Sequence, residues 1–254
     1  MKNYFEKDKL KVSVFDTRSE MGQNAANDII DAINKIMEKK SEVNIIFAAA
    51  PSQNEVLASL VASGKVDWTR VNAFHMDEYI GLSPSAPQRF GNFLNNAIFK
   101  KLPFKSINYI DGGAKDINAE CEHYSLLLKQ YPADIVCMGI GENGHIAFND
   151  PPVADFNDSK VIKSVKLDQI CRNQQVHDGC FKTVNDVPTH ALTLTVPTLF
   201  GGKHLFCVVP AATKANAVYE MINGSIDEHC PATILRKHPS AHLYCDKDSA
   251  SLLK

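Results

Sequence analysis

Asp134-Ile135-Val136-Cys137-Met138-Gly139-Ile140-Gly141-Glu142-Asn143-Gly144-His145-Ile146-Ala147-Phe148-Asn149-Asp150-Pro151-Pro152 holds the fold and the chemistry in one stretch. Ile135 to Met138 is an apolar run too short for a helix and closed by glycine, the pattern of a strand buried on both faces. Three runs resemble it: Val43-Asn44-Ile45-Ile46-Phe47-Ala48, Arg70-Val71-Asn72-Ala73-Phe74-His75 and His204-Leu205-Phe206-Cys207-Val208-Val209. Amphipathic stretches separate them. Asn24 to Lys39 places Ala25, Ile29, Ile33, Ile36 and Met37 near one face. Glu55 to Ser63 stops at Gly64, Ala119 to Lys129 has helical spacing, and a further helix runs from about Thr213 to Ile222 after Pro210. Strand, loop and helix in alternation predict an α/β fold: a doubly wound, mostly parallel, Rossmann-like sheet with helices on both faces. No linker, repeat or low-complexity segment interrupts the chain, so residues 1–254 are expected to form a single domain.

Composition narrows the function. The 254 residues are 44% hydrophobic and 22% charged, ordinary for a globular protein. Lys and Arg number 27 against 29 Asp and Glu, a net charge of −2, which leaves no basic surplus for nucleic acid. No run approaches the roughly 18 apolar residues of a membrane span, and the first residues, MKNYFEKDKLKVSVFDT, have no apolar core of signal-peptide length. The seven cysteines are odd in number, widely spaced and without a CxxC, as expected of reduced thiols in a cytoplasmic protein. No metal site is expected: the one i,i+4 histidine pair, His238 and His242, spans Pro239. The glycine-rich stretch does not resemble a dinucleotide fingerprint as a whole, so no cofactor is expected.

In such sheets ligands bind beyond the carboxyl ends of the strands, which directs attention to four loops. Ala48-Ala49-Ala50-Pro51-Ser52-Gln53-Asn54 is built of small residues and leads into a helix. Ser52 either caps that helix in a capping box with Glu55, or shares with the free N–H groups in holding an anion. In the second loop Asp77 and Glu78 are adjacent acids at a strand end. Burial and mutual repulsion would raise a pKa there and suit a base acting on a weakly acidic C–H; a solvated acidic turn is the alternative. In the third loop, glycines surround His145, a proton shuttle near neutral pH, with Asn143 or Asp150 to orient its ring. In the fourth, Lys214 sits at a helix start, where the dipole disfavours a cation unless an anion is bound.

With these loops laid out, the chain resembles the glucosamine-6-phosphate deaminase/isomerase family. The motifs are Met76-Asp77-Glu78-Tyr79-Ile80-Gly81-Leu82 and Gly139 to Asn149, with support from Ala191-Leu192-Thr193 through Lys214 and from His238-Pro239 through Cys245-Asp246. The sister 6-phosphogluconolactonases share the fold and a GxGxxGH element, but Ile146-Ala147-Phe148-Asn149 follows the deaminase pattern. The resemblance implies a cofactor-independent deaminating aldose–ketose isomerase that converts glucosamine 6-phosphate, or a related hexosamine 6-phosphate, and water to fructose 6-phosphate and ammonia. It implies Asp77 as the proton-transfer base, His145 as the ring-opening acid/base, and Asn143 and Asp150 as the groups that tune it. It assigns substrate and phosphate binding to Ala49, Ala50, Ser52, Gln53, Glu78, Lys214 and, as the family's phosphate arginine, Arg172. Ala48-Ala49-Ala50-Pro51-Ser52 stands where many members carry Thr-Gly-Gly-Thr-Pro, and Asp150 where many carry glutamate. Val153 to Asp158 lacks the arginines of the allosteric site found in some members. The alternatives are a lactonase on the same fold and a non-catalytic sugar-phosphate sensor. The expected partner is a small sugar phosphate. Family members range from monomers to hexamers, which admits a homo-oligomer.

Overall fold

The computed structural model describes residues 3–253; Met1, Lys2 and Lys254 lie outside them. The strands are β1 (Asn3–Lys7), β2 (Leu10–Phe15), β3 (Val43–Phe47), β4 (Val71–His75), β5 (Asp77–Tyr79) and β6 (Ser106–Asn108). They continue with β7 (Ile135–Met138), β8 (Ile162–Lys166), β9 (His190–Leu194), β10 (His204–Val209) and β11 (Ala241–Asp246). The helices are α1 (Arg18–Met37), α2 (Asn54–Ser63), α3 (Phe90–Ala97), α4 (Ile117–Gln130), α5 (Gln169–His177), α6 (Val196–Phe200) and α7 (Ala215–Asn223).

Eight strands form one sheet in the order β1-β2-β11-β10-β7-β3-β4-β6, parallel throughout except for β1. The four apolar runs recognised in the sequence are its contiguous centre, β10-β7-β3-β4. Alternate residues of these strands enter opposite cores. Ile45, Phe47, Cys137 and Phe206 meet α1, α2 and α3, whereas Ile46, Val136, Met138 and Cys207 meet α4, α6 and α7. After β3 the chain proceeds toward β4 and β6; after β7 it proceeds toward β10 and β11. The crevice between β3 and β7 is therefore a topological switch point. A second, antiparallel sheet, β5-β9-β8, lies beside it.

Two boundaries differ from the sequence reading. The first helix starts at Arg18, six residues before Asn24, because Thr17 caps it by accepting the Glu20 N–H at 3.1 Å. Ser52 is no capping-box residue. Pro51–Gln53 forms a 3-10 turn, α2 begins at Asn54, and Glu55 is engaged by the Arg18 guanidinium through two 2.9 Å hydrogen bonds. At the opposite end of the sheet Asp134, fully buried, accepts from Lys40, Lys203 and the Asn44 N–H. Burial would raise its carboxyl pKa, but these donors hold it below the usual range. No helix among the described residues is long and apolar enough to cross a membrane.

Candidate active site

A cleft of about 440 Å³ opens at the carboxyl ends of β3, β4, β7 and β10, within the size range of small-molecule sites. Ala49, Ala50 and Ser52 line it from β3, Asp77 from beyond β4, Gly141 and His145 from β7, and Ala211 and Lys214 from β10. The small sheet joins two of these loops. Asp77 on β5 pairs with Thr193 on β9, and the Thr193 hydroxyl accepts the Phe148 N–H at 3.1 Å. Asn149 donates to the Ile146 and Leu194 carbonyls at 2.9 and 2.8 Å, anchoring the same loop.

Asp77 is 7% exposed, and its carboxylate has no hydrogen-bond partner among the described residues. Burial, reinforced by the charge of Glu78, pushes its carboxyl well above the ordinary range. The chain entering Asp77 is fixed from behind. Fully buried His75 places Nδ1 2.9 Å from the Asp77 carbonyl, and its Nε2 accepts the Ile110 N–H at 2.9 Å. A carbonyl only accepts, so the ring carries its proton on Nδ1. Burial holds that ring neutral, with its pKa lowered to about 4.

Glu78 points the other way, as the alternation of a strand requires. It accepts the N–H groups of Tyr79, Phe90 and Gly91 at 2.9, 3.0 and 3.0 Å, with Arg89 3.7 Å away. Its carboxylate seats the N-terminus of α3 and is absent from the cleft wall. Glu78, expected from the sequence at the substrate, is thus not among the residues that line the cleft.

His145 rests on Gly141. A β-carbon at that glycine would fall 2.1–2.3 Å from three ring atoms. The turn between them requires φ of +79° at Gly144, a region natural to glycine. Behind the ring, Nδ1 lies 2.8 Å from Asp150 Oδ1, at ion-pair distance but without the alignment of a full hydrogen bond. Asn143 joins both partners: its amide donates to Asp150 Oδ1 at 2.9 Å and its carbonyl accepts the His145 N–H at 3.1 Å. Burial alone would raise the Asp150 carboxyl, but His145, Asn143 and the nearby Cys171 thiol hold it below its ordinary value. Asp150 is thus placed to receive charge from an imidazolium. Gly141→Ala is expected to fold but to displace the ring, lowering kcat about 10²-fold, the effect of misplacing a group by roughly 1 Å. Unchanged kcat with unchanged circular dichroism would show that the ring's seat is unimportant.

Lys214 is 6% exposed and lies one residue before α7, in a 3-10 turn. It makes no ion pair among the described residues. Burial lowers its pKa, against the attraction of Asp178 and Glu142. The turn before it is held by Ala211, whose φ of +81° is uncommon for a side-chain-bearing residue and whose N–H donates to both Asp246 oxygens at 3.1 Å.

Two other residues expected at the substrate stand outside the cleft wall. Arg172 does not line the cleft; its guanidinium donates to the Val184 and Val187 carbonyls at 2.6 and 2.9 Å. Gln53 is buried beneath the first loop, its amide directed at Ser52 Oγ and the Met138 and Val208 carbonyls. The sequence reading missed Arg18, which lines the cleft; the Thr17–Glu20 cap just before it was the available signal. It also missed Gln174 and Asp178 of the α5 segment, and Cys171, whose neighbours come from a distant loop.

The pattern of the family described as Glucosamine-6-phosphate isomerases/6-phosphogluconolactonase matches residues 16–244. A glucosamine-6-phosphate deaminase of Listeria welshimeri is 36% identical over 222 residues, covering 86% of this chain and 93% of that protein. One from Lactobacillus delbrueckii subsp. bulgaricus is 32% identical over 245 residues, 96% of this chain and 100% of its own. The solved structure of a monomeric glucosamine-6-phosphate deaminase superposes with a TM-score of 0.86 at 27% identity, over 95% of this chain and 99% of that one. A 6-phosphogluconolactonase from Thermotoga maritima, 18% identical, shares the fold with a TM-score of 0.76 over 94% of this chain and all of its own.

Proposed function

This chain belongs to the glucosamine-6-phosphate isomerase and 6-phosphogluconolactonase family, and from that premise we propose that it deaminates glucosamine 6-phosphate to fructose 6-phosphate and ammonia. One observation carries the reading: a buried carboxylate and a buried lysine, both without side-chain partners among the described residues, line one cleft with a histidine that an aspartate backs from behind, and the three come from three different strand ends. Those groups answer the three tasks of the reaction.

Lys214 and the backbone of Ala49 to Ser52 hold the phosphate. His145, with Asp150 behind it, moves the proton that opens the sugar ring. Asp77 takes the C2 proton of the open aldehyde and delivers it to C1. The resulting imine is hydrolysed, releasing ammonia. All of this lies in one unit over residues 1–254, which acts in the cytoplasm on a small sugar phosphate, as a monomer or as a homo-oligomer.

The test is ammonia release from glucosamine 6-phosphate and galactosamine 6-phosphate, with hydrolysis of a phosphosugar lactone in parallel. Lactone hydrolysis without ammonia from either hexosamine would replace this reading with the lactonase. Lys214→Ala is expected to raise KM by about 2 kcal/mol, roughly 30-fold, with kcat little changed, as for loss of a charge-assisted contact. An unchanged KM would locate the phosphate elsewhere.

A further inference from the structure

Cys171, the third residue of α5, brings its thiol to the side of Asp150. A ring nitrogen of His145, a carboxylate oxygen of Asp150 and the Cys171 sulfur all lie within 4.8 Å of one another. The three residues are 7%, 1% and 0% exposed. Two of their atoms are poorly satisfied: His145 Nδ1 meets Asp150 Oδ1 without hydrogen-bond alignment, and Asp150 Oδ2 has no partner of hydrogen-bond geometry. Buried polar atoms are rarely left this way. Imidazole, carboxylate and sulfur together form a borderline-soft donor set.

We propose that this cluster is an inhibitory site for zinc or a similar late first-row divalent cation. Zinc ligands at roughly 2.0–2.3 Å stand about 3.3–3.8 Å apart, so the His145–Asp150 contact opens slightly and the sulfur closes in. The ion takes the lone pair of a neutral imidazole, the Asp150 carboxylate and a thiolate. The thiol proton leaves to solvent, about one per ion, as happens when a metal binds cysteine. The dication enters as one proton leaves, so the site passes from the single negative charge of Asp150 to neutrality, and no uncompensated charge is left in a buried place. With the imidazole lone pair on the metal, the ring can no longer become an imidazolium backed by Asp150. Magnesium and calcium, which favour oxygen ligands, do not compete. The inhibition rests on the role proposed above for His145; the capture of the ion does not.

The experiment uses the whole chain, reduced, chelated and dialysed. The chelated protein is expected to turn over at its full rate. Cobalt(II) added as a spectroscopic probe should give a thiolate charge-transfer band, saturating at one equivalent and abolished by zinc. Cys171→Ser and Cys171→Ala should both lose the band, and zinc should then inhibit only at concentrations at least about tenfold higher. Millimolar magnesium should leave the rate unchanged. Absence of a thiolate band in the cobalt-saturated parent protein overturns the proposal, whatever the variants do. A band that persists in the Cys171 variants, or equal zinc inhibition in parent and variants, overturns it too. Activity that returns only on adding zinc would make the ion an activator and reject both this inference and cofactor-independent catalysis. If the chelated protein releases no ammonia at all yet the cobalt band appears, the proposed reaction fails and the metal site stands.

Discussion

Asp77→Asn is expected to abolish both ammonia release and exchange of the substrate C2 proton with solvent, while making the protein more stable. The amide cannot accept a proton from carbon, and the loss should reach at least the roughly 10²–10⁴-fold typical of a missing general base. Stability moves the other way because the folded state raises the Asp77 pKa through burial and the charge of Glu78. Its native form binds the proton more tightly than its unfolded form does. The penalty is absent at pH values below the ordinary carboxyl value and grows as pH rises through the window up to the raised native pKa. At neutral pH the neutral amide escapes it, with a gain of roughly 0.5–2 kcal/mol, the usual scale when a strained functional group is relieved. Thermal melting of both proteins from pH 4 to 8 should show the gap widening with pH. Deuterium incorporation at C2, read by mass spectrometry, tests the chemistry. Normal exchange in the variant would show that another group removes the proton. Glu78, bound to three backbone N–H groups, is poorly placed to substitute.

His145→Gln should slow turnover by roughly 10²–10⁴-fold but leave C2 exchange partly intact when the substrate is supplied already open. Glutamine keeps polarity near Asp150 without shuttling a proton. The recovery separates ring opening from isomerisation, since Asp77 sits on a different loop. Equal loss on cyclic and open-chain substrates would mean that His145 serves both steps, or holds the cleft in shape. Asp150 remains in the variant as a buried carboxylate held by Asn143 alone among its two strongest partners. Melting should therefore accompany the kinetics, to distinguish local loosening from lost chemistry.

The centre of the sheet was legible because its strands are apolar on both faces, and such runs stand out in any order. The rest alternates. In β11, His242, Tyr244 and Asp246 alternate with Ala241, Leu243 and Cys245, while β5 is only three residues long. Neither has a local pattern to separate it from loop. The cleft residues that follow a strong strand, Asp77, His145 and Lys214, could be located by position alone. Direction could not: that Glu78 faces away and that Arg172 is held by two carbonyls depends on α3 and on the 184–187 turn, which meet those side chains only in three dimensions. Arg18 is the converse, brought to the cleft by α1 lying against α2. Cys171 has no local signal, because its neighbours on the His145 loop are some twenty residues away in sequence.

Asp134 has a consequence for how this architecture can change over evolutionary time. It clasps Lys40, Lys203 and the start of β3 at the end of the sheet remote from the cleft. The entry to the central strands is thus locked independently of what happens where they exit. At the exit, alanines hold left-handed conformations and short turns present the reactive groups. A scaffold fastened at its base tolerates exchange of its rim. A lactonase only 18% identical can share this framework, since new chemistry requires rewriting a few loops and not the frame that carries them.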